Sequence, residues 1–111
     1  MPAVDVARAK EILEQPPAGL VVLDVRTPDE FSEGHLPGSV LVDFHEPDFP
    51  ARLQALDPEV PYLIYCRSGA RSGRTEQLMG QLGFSDVTDV EGGILAWIDA
   101  GLPVERQRPS R

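Results

Sequence analysis

One cysteine, Cys66, stands in this chain. That scarcity excludes an intramolecular disulfide, and one cysteine with two histidines is too few for a structural zinc site. Positive charge is also scarce. Ten basic side chains face eighteen acidic ones, and the formal charge of −8 argues against nucleic acid and anionic membranes as partners. No stretch approaches the roughly 18 consecutive apolar residues of a membrane span. The opening MPAVDVARAK lacks the uninterrupted apolar core of a signal peptide, so a cytoplasmic protein in a reducing compartment is expected. Asparagine is absent, and arginine outnumbers lysine nine to one. Loss of thermolabile amides in a thermophile and a codon bias are two readings of that skew.

What is present reads as one domain over residues 1–111, with the polar stretch 105–111 expected to be a flexible tail. Short β-like apolar runs alternate with helical patterns. The runs are Leu20–Val25, Val40–Phe44, Tyr62–Tyr65 and Asp86–Val90, with a stub at Ala3-Val4. Continuous apolar strands imply a sheet covered on both faces, hence parallel. Between them, Asp5 caps a helix stopped by Pro16-Pro17, and Thr27-Pro28-Asp29-Glu30 is a capping box with proline at the first helical position. Further helices are expected over Asp48–Leu56 and Ser72–Leu82, and from Gly92-Gly93 onward to Gly101. Such alternation with short connections gives an α/β layered fold with right-handed crossovers. Ligands of such folds sit at the carboxyl ends of the strands, where Cys66 follows the YLIY run.

The segment CRSGAR gathers positive charge around the only thiol: Arg67 and Arg71, with Arg74 one turn further on. A loop leading from a strand into a helix can turn its N–H groups inward to cradle an anion, and Gly69 supplies the backbone freedom for the curl. Such a setting favours the reactive thiolate and attracts a small anionic substrate. The plain alternative is a buried hydrophobic cysteine, but flanking arginines make poor core. Arg74 is read as a solvated side chain that adds only to the general field.

Cys66-Arg67-Ser68-Gly69-Ala70-Arg71-Ser72 resembles the active-site loop of single-domain rhodanese-like sulfurtransferases. Leu23 to Phe31 with Gly34-His35-Leu36-Pro37-Gly38-Ser39 is similar to that family's N-terminal signature, and Glu91 to Trp97 with Gly101-Leu102-Pro103-Val104 to its C-terminal one. The resemblance implies a three-layer fold with a five-stranded parallel sheet flanked by helices on both faces. It also implies that the Cys66 thiolate takes the outer sulfur of thiosulfate, or of another persulfide donor, and passes it to cyanide or a thiol. Cys66 is then the catalytic residue, and Arg67, Ser68, Gly69, Ala70 and Arg71 bind the substrate. No metal and no cofactor are called for. Lacking a second cysteine, the chain needs an external acceptor, either small or a protein.

Three rivals stand beside this reading. A cysteine-dependent phosphatase would place five residues between cysteine and arginine, whereas Arg71 comes one position early. A non-catalytic interaction module would not need the loop. A dedicated persulfide carrier would keep it, and the sequence does not separate carrier from enzyme. Around the loop, Asp24, Arg26 and Ser72 are expected to support it from behind, with Asp24 accepting from loop donors and Arg26 pairing with an acid. A purely structural ion pair is the alternative for Asp24 and Arg26. Where some family members carry a basic residue this chain has Glu30, leaving thiosulfate to Arg67 and Arg71. His35 is expected in a structural hydrogen bond, Trp97 in the core, and Ile94 and Leu95 at the pocket wall.

Overall fold

The structure is a computed structural model and describes residues 3–106. The five runs become parallel strands: β1 (Ala3–Val4), β2 (Val21–Asp24), β3 (Val40–Leu41), β4 (Tyr62–Tyr65) and β5 (Val87–Val90). Their order is β1-β5-β4-β2-β3. The strand that delivers Cys66 is therefore central, with neighbours on both edges, which is why all four of its residues are buried. Helices α1 (Val6–Glu14), α2 (Pro28–Glu33), α3 (Phe49–Gln54), α4 (Ala70–Gln81) and α5 (Gly93–Asp99) connect the strands or close the chain. The Cα radius of gyration, 13.1 Å, is that of a compact domain of this length.

Strand side chains alternate between faces, and this separates the core in two. Leu23, Val25, Tyr62, Ile64, Cys66 and Val87 pack beneath Phe49 and Leu53 of α3 and Met79 of α4. Val22, Leu63, Tyr65 and Val90 pack against Ala9 of α1 and Ile94 and Trp97 of α5. These are the three layers that the sequence pattern and the family resemblance imply.

The helix starts form as their residues dictate. Asp5 accepts from the Arg8 N–H at 2.9 Å. At α2 the capping box closes both ways: Thr27 accepts from the Glu30 N–H, and Glu30 accepts from the Thr27 N–H.

Several boundaries differ from expectation. The second run forms strand only over Val40–Leu41; beyond it the Val42 and Phe44 N–H groups still donate to the Asp24 and Val25 carbonyls at 2.9 and 3.3 Å, and an aspartate turn, with the His45 N–H on Asp43 at 2.9 Å, ends the segment. Helix α4 begins at Ala70, two residues early, so Arg71 sits in its first turn. The expected tail is partly fixed. Glu105 and His35 exchange backbone hydrogen bonds of 2.8 Å, and Arg106 donates to the Glu33 carbonyl. The rest of that stretch, 107–111, lies outside the described residues.

Candidate active site

Cys66 is the first residue after β4 and is only 1% exposed. Its Sγ accepts the Gly69 N–H at 3.0 Å and the Ser72 hydroxyl at 3.4 Å. Two donors thus aim their positive ends at the sulfur, the arrangement a sulfur bearing negative charge needs. The curl that brings the Gly69 N–H back to residue 66 requires φ +126°, a region open to glycine. Helix α4 makes its first internal bond from the Gly73 N–H to the Gly69 carbonyl. The preceding N–H groups of its first turn have no intrahelical partner and are left for the loop.

The loop is fixed from the far side by α5. The Ile94 N–H donates to the Cys66 carbonyl at 2.9 Å and the Leu95 N–H to the Arg67 carbonyl at 3.1 Å. Gly93 permits this approach, since a Cβ there would lie 2.4 Å from the Arg67 oxygen and 2.5 Å from the Cys66 oxygen. Ile94 and Leu95 therefore act through their backbones, which corrects the expected pocket wall. The Ile94 side chain packs on the opposite face of the sheet, and Leu95 is 43% exposed.

Of the loop's side chains, Arg67, Ser68 and Ala70 are exposed at the rim, and Arg74 is exposed as expected. Arg71 is not free. Its two terminal nitrogens donate to the two oxygens of Glu30 at 2.9 and 3.0 Å. This hydrogen-bonded pairing holds the Glu30 carboxyl down to about 2, although burial opposes it. Arg71 is in turn held more firmly protonated, first by Glu30 and, less strongly, by the charges of Cys66 and Asp24. Glu30 is the partner that sequence reasoning missed as such. The capping box marked it, since that motif fixes where its carboxylate points.

Asp24 and Arg26 lie behind the sheet end, but Asp24 does not accept from the loop. It registers with Tyr65, so the side chain shares Tyr65's face while Cys66, one residue on, turns to the other. Asp24 accepts instead from the Arg26 guanidinium, at 2.6 to 3.1 Å, and from the Tyr65 hydroxyl at 2.7 Å. Arg26 also donates to the Gly34 carbonyl. The structural ion pair is thus what the structure contains. Ser72, fully buried, does stand behind the sulfur. Beyond it lies Asp89 of β5, whose Cα registers with Ile64 and whose carboxyl is pushed up to about 6, chiefly by burial. Neither residue type nor spacing singled it out.

His35 takes the structural role expected, with Nδ1 2.8 Å from the Phe31 carbonyl and its ring stacked on Phe31. Trp97 is in the core, its indole N–H donating to the Pro103 carbonyl. Among the described residues no cluster of His, Cys, Asp or Glu is arranged to hold a metal ion. No described helix is long and apolar enough to cross a membrane.

A cysteine at the carboxyl end of a central parallel strand, cradled by a glycine-curled loop, defines a class of α/β domains built around a loop cysteine. Residues 5–100 match the rhodanese-like domain, and the chain belongs to that family. A protein of Allochromatium vinosum named sulfurtransferase is 35% identical over 77% of this chain and 78% of its own. Thiosulfate sulfurtransferase 18 of Arabidopsis thaliana is 34% identical over 97% of this chain and 88% of its own. The crystal structure of a rhodanese-related protein from Thermoplasma volcanium superposes with a TM-score of 0.84 at 29% identity, covering 96% of this chain and all of that one.

Proposed function

We propose that the protein is a sulfurtransferase in which Cys66 carries the sulfur. The Cys66 thiolate attacks the outer sulfur of thiosulfate or another sulfane donor. One S–S bond forms, the donor's S–S bond breaks, and the electron pair leaves with sulfite or with the donor thiolate. The resulting persulfide gives its outer sulfur to cyanide or a thiol, restoring the thiolate. The observation that carries this reading is the pair of donors on Sγ, from Gly69 and Ser72. Charge on the sulfur rises and falls through both half-reactions, and fixed donors stabilise it without rearrangement. The rim residues Arg67 and Ser68 meet the substrate, while Arg71 acts from its pair with Glu30.

The test is to incubate the protein with thiosulfate and weigh it intact without reductant. The mass of one sulfur atom should appear, and cyanide or dithiothreitol should remove it. Cys66→Ser should neither gain it nor form thiocyanate. A serine variant that turns over would end the proposal.

A further inference from the structure

The mouth of the site holds two loop arginines in sequence but one in charge. Arg67 is exposed and, among the described residues, has no ion-pair partner. Arg71 is matched by Glu30 through two hydrogen bonds of 2.9 and 3.0 Å. Glu30 is not a side chain that swings aside, because its Oε1 also accepts from the Thr27 N–H and hydroxyl, both at 3.1 Å. The pair is partly buried, its partners 21% and 24% exposed, so water screens it less than it would a surface pair. The carboxyl stays ionised across the physiological range, since its titration is moved down to about 2.

This neutralisation weighs differently on different donors. When a thiolate attacks thiosulfate, three negative charges converge. When it attacks a thiol persulfide through its electrophilic protonated form, RS–SH, the reacting sulfurs carry one, and with the ionised form at most two. A bidentate arginine already satisfied by a carboxylate gives little to an incoming dianion, and the protein's overall charge of −8 repels it further.

We infer that Glu30 is a specificity-determining residue that turns the site from dianionic thiosulfate toward low-charge sulfane donors, a small thiol persulfide being the chemical class. The inference rests on the sulfurtransferase reading. The step balances without a co-reactant: Cys66–S⁻ and RS–SH give Cys66–S–SH and RS⁻, the sulfane sulfur changing partners with no net oxidation. Glu30 does not touch the sulfur; it acts by holding Arg71.

The experiment compares kcat/KM for thiosulfate and for cysteine persulfide in the wild type, Glu30→Gln and Asp29→Asn. Glutamine fits the N3 position of a capping box, so the helix start survives. Asp29, an exposed acid one residue away, controls for the general field. Glu30→Gln should raise kcat/KM for thiosulfate about 10-fold, as expected when a guanidinium is released to pair with an incoming dianion. It should change cysteine persulfide less than about 2-fold, since that donor, a zwitterion with one ionisable S–SH, brings at most one net negative charge to the mouth against the two of thiosulfate. Asp29→Asn should change neither. An unchanged ratio of the two donors in Glu30→Gln, or an equal response to Asp29→Asn, overturns the inference while Cys66 still loads sulfur. Failure of both donors to add sulfur mass to Cys66 overturns the sulfurtransferase reading itself and the inference with it.

Discussion

The carboxylate of Asp24 is shared by the guanidinium of Arg26 and the hydroxyl of Tyr65, all three buried on the face of the sheet away from Cys66. Burial, then the Asp24 charge, raises the Tyr65 hydroxyl well above its usual range and so keeps it a donor. Tyr65 in turn accepts the Leu36 N–H at 3.0 Å and lies 3.1 Å from the Ser39 hydroxyl. One buried charge pair thereby ties β2 and β4 to the Gly34–Ser39 turn. Arg26→Met leaves Asp24 buried without its counter-charge and should cost about 3–5 kcal/mol in urea unfolding. Arg26→Met with Asp24→Leu, which removes both charges, should cost clearly less. A double variant as damaged as the single one would mean that the pair's packing, not its charge, holds this region.

Acid should act through Glu30. Its folded carboxyl titrates at about 2, below the ordinary 4.5. A depressed carboxyl contributes stability that is present above its unfolded value and is lost as pH falls through the folded one. Thermal unfolding temperatures of the wild type should therefore fall from about pH 4.5 down to about pH 2. Glu30→Gln should start lower and vary less across that window. Parallel curves for the two proteins would contradict the pairing with Arg71.

Asp89 has the opposite sign. Burial raises its carboxyl from 3.8 to about 6, against the pull of the Ser72 hydroxyl and with the added repulsion of Glu76. Its Oδ1 is buried with no hydrogen-bond partner. A raised carboxyl destabilises the fold when ionised, so stability should decline as pH climbs from about 3.8 to about 6 and then level off. Asp89→Asn removes the ionisation and should stabilise the protein at neutral pH by roughly 1–3 kcal/mol, the scale of a carboxyl titration displaced upward by burial. Chemical denaturation at several pH values checks this, and loss of stability in the asparagine variant at neutral pH would refute it.

How far the sequence revealed these features depended on the range of the interaction. YLIY and LVVLDV read as buried strands because every residue but Asp24 is apolar, aromatic or β-branched, and Thr27-Pro28-Asp29-Glu30 read as a helix start because capping is local chemistry. The loop at Cys66 was legible for the same reason: strand, cysteine, glycine and arginine fall within ten positions. Which face a residue takes is less local. Asp24, at the carboxyl end of the LVVL run, was expected beside the loop, yet its register with Tyr65 turns its side chain to the other face. Leu95 was expected at the pocket wall yet is exposed, as is Ile98, since the docking of Gly93 on the loop carbonyls fixes the rotation of α5. The pairing of Glu30 with Arg71 spans 41 positions, and no period or motif connects two residues so far apart.

That docking supplies the last prediction. Gly93 has φ +61°, and a methyl group there would meet the Arg67 oxygen at 2.4 Å, the Cys66 oxygen at 2.5 Å and the Arg67 carbonyl carbon at 2.6 Å. All three are backbone atoms, and both oxygens accept N–H groups of α5, so no side-chain rotation relieves the clash. Gly93→Ala must push the Cys66 loop and α5 apart. The Gly69 N–H and Ser72 hydroxyl would then no longer converge on Sγ. Sulfur loading from any donor should fall by about 10²–10³, the loss seen when one preorganised donor is removed from a transition state. Gly80→Ala is the matched control. It lies in the last turn of α4, exposed, with open space around a new Cβ, and should raise stability by up to about 0.5–1 kcal/mol and leave loading intact. Circular dichroism establishes that the Gly93→Ala protein is folded before loading is timed by intact mass. If that folded protein loads sulfur as fast as the parent, α5 does not set the position of the nucleophile, and α4 and β4 must hold the loop unaided.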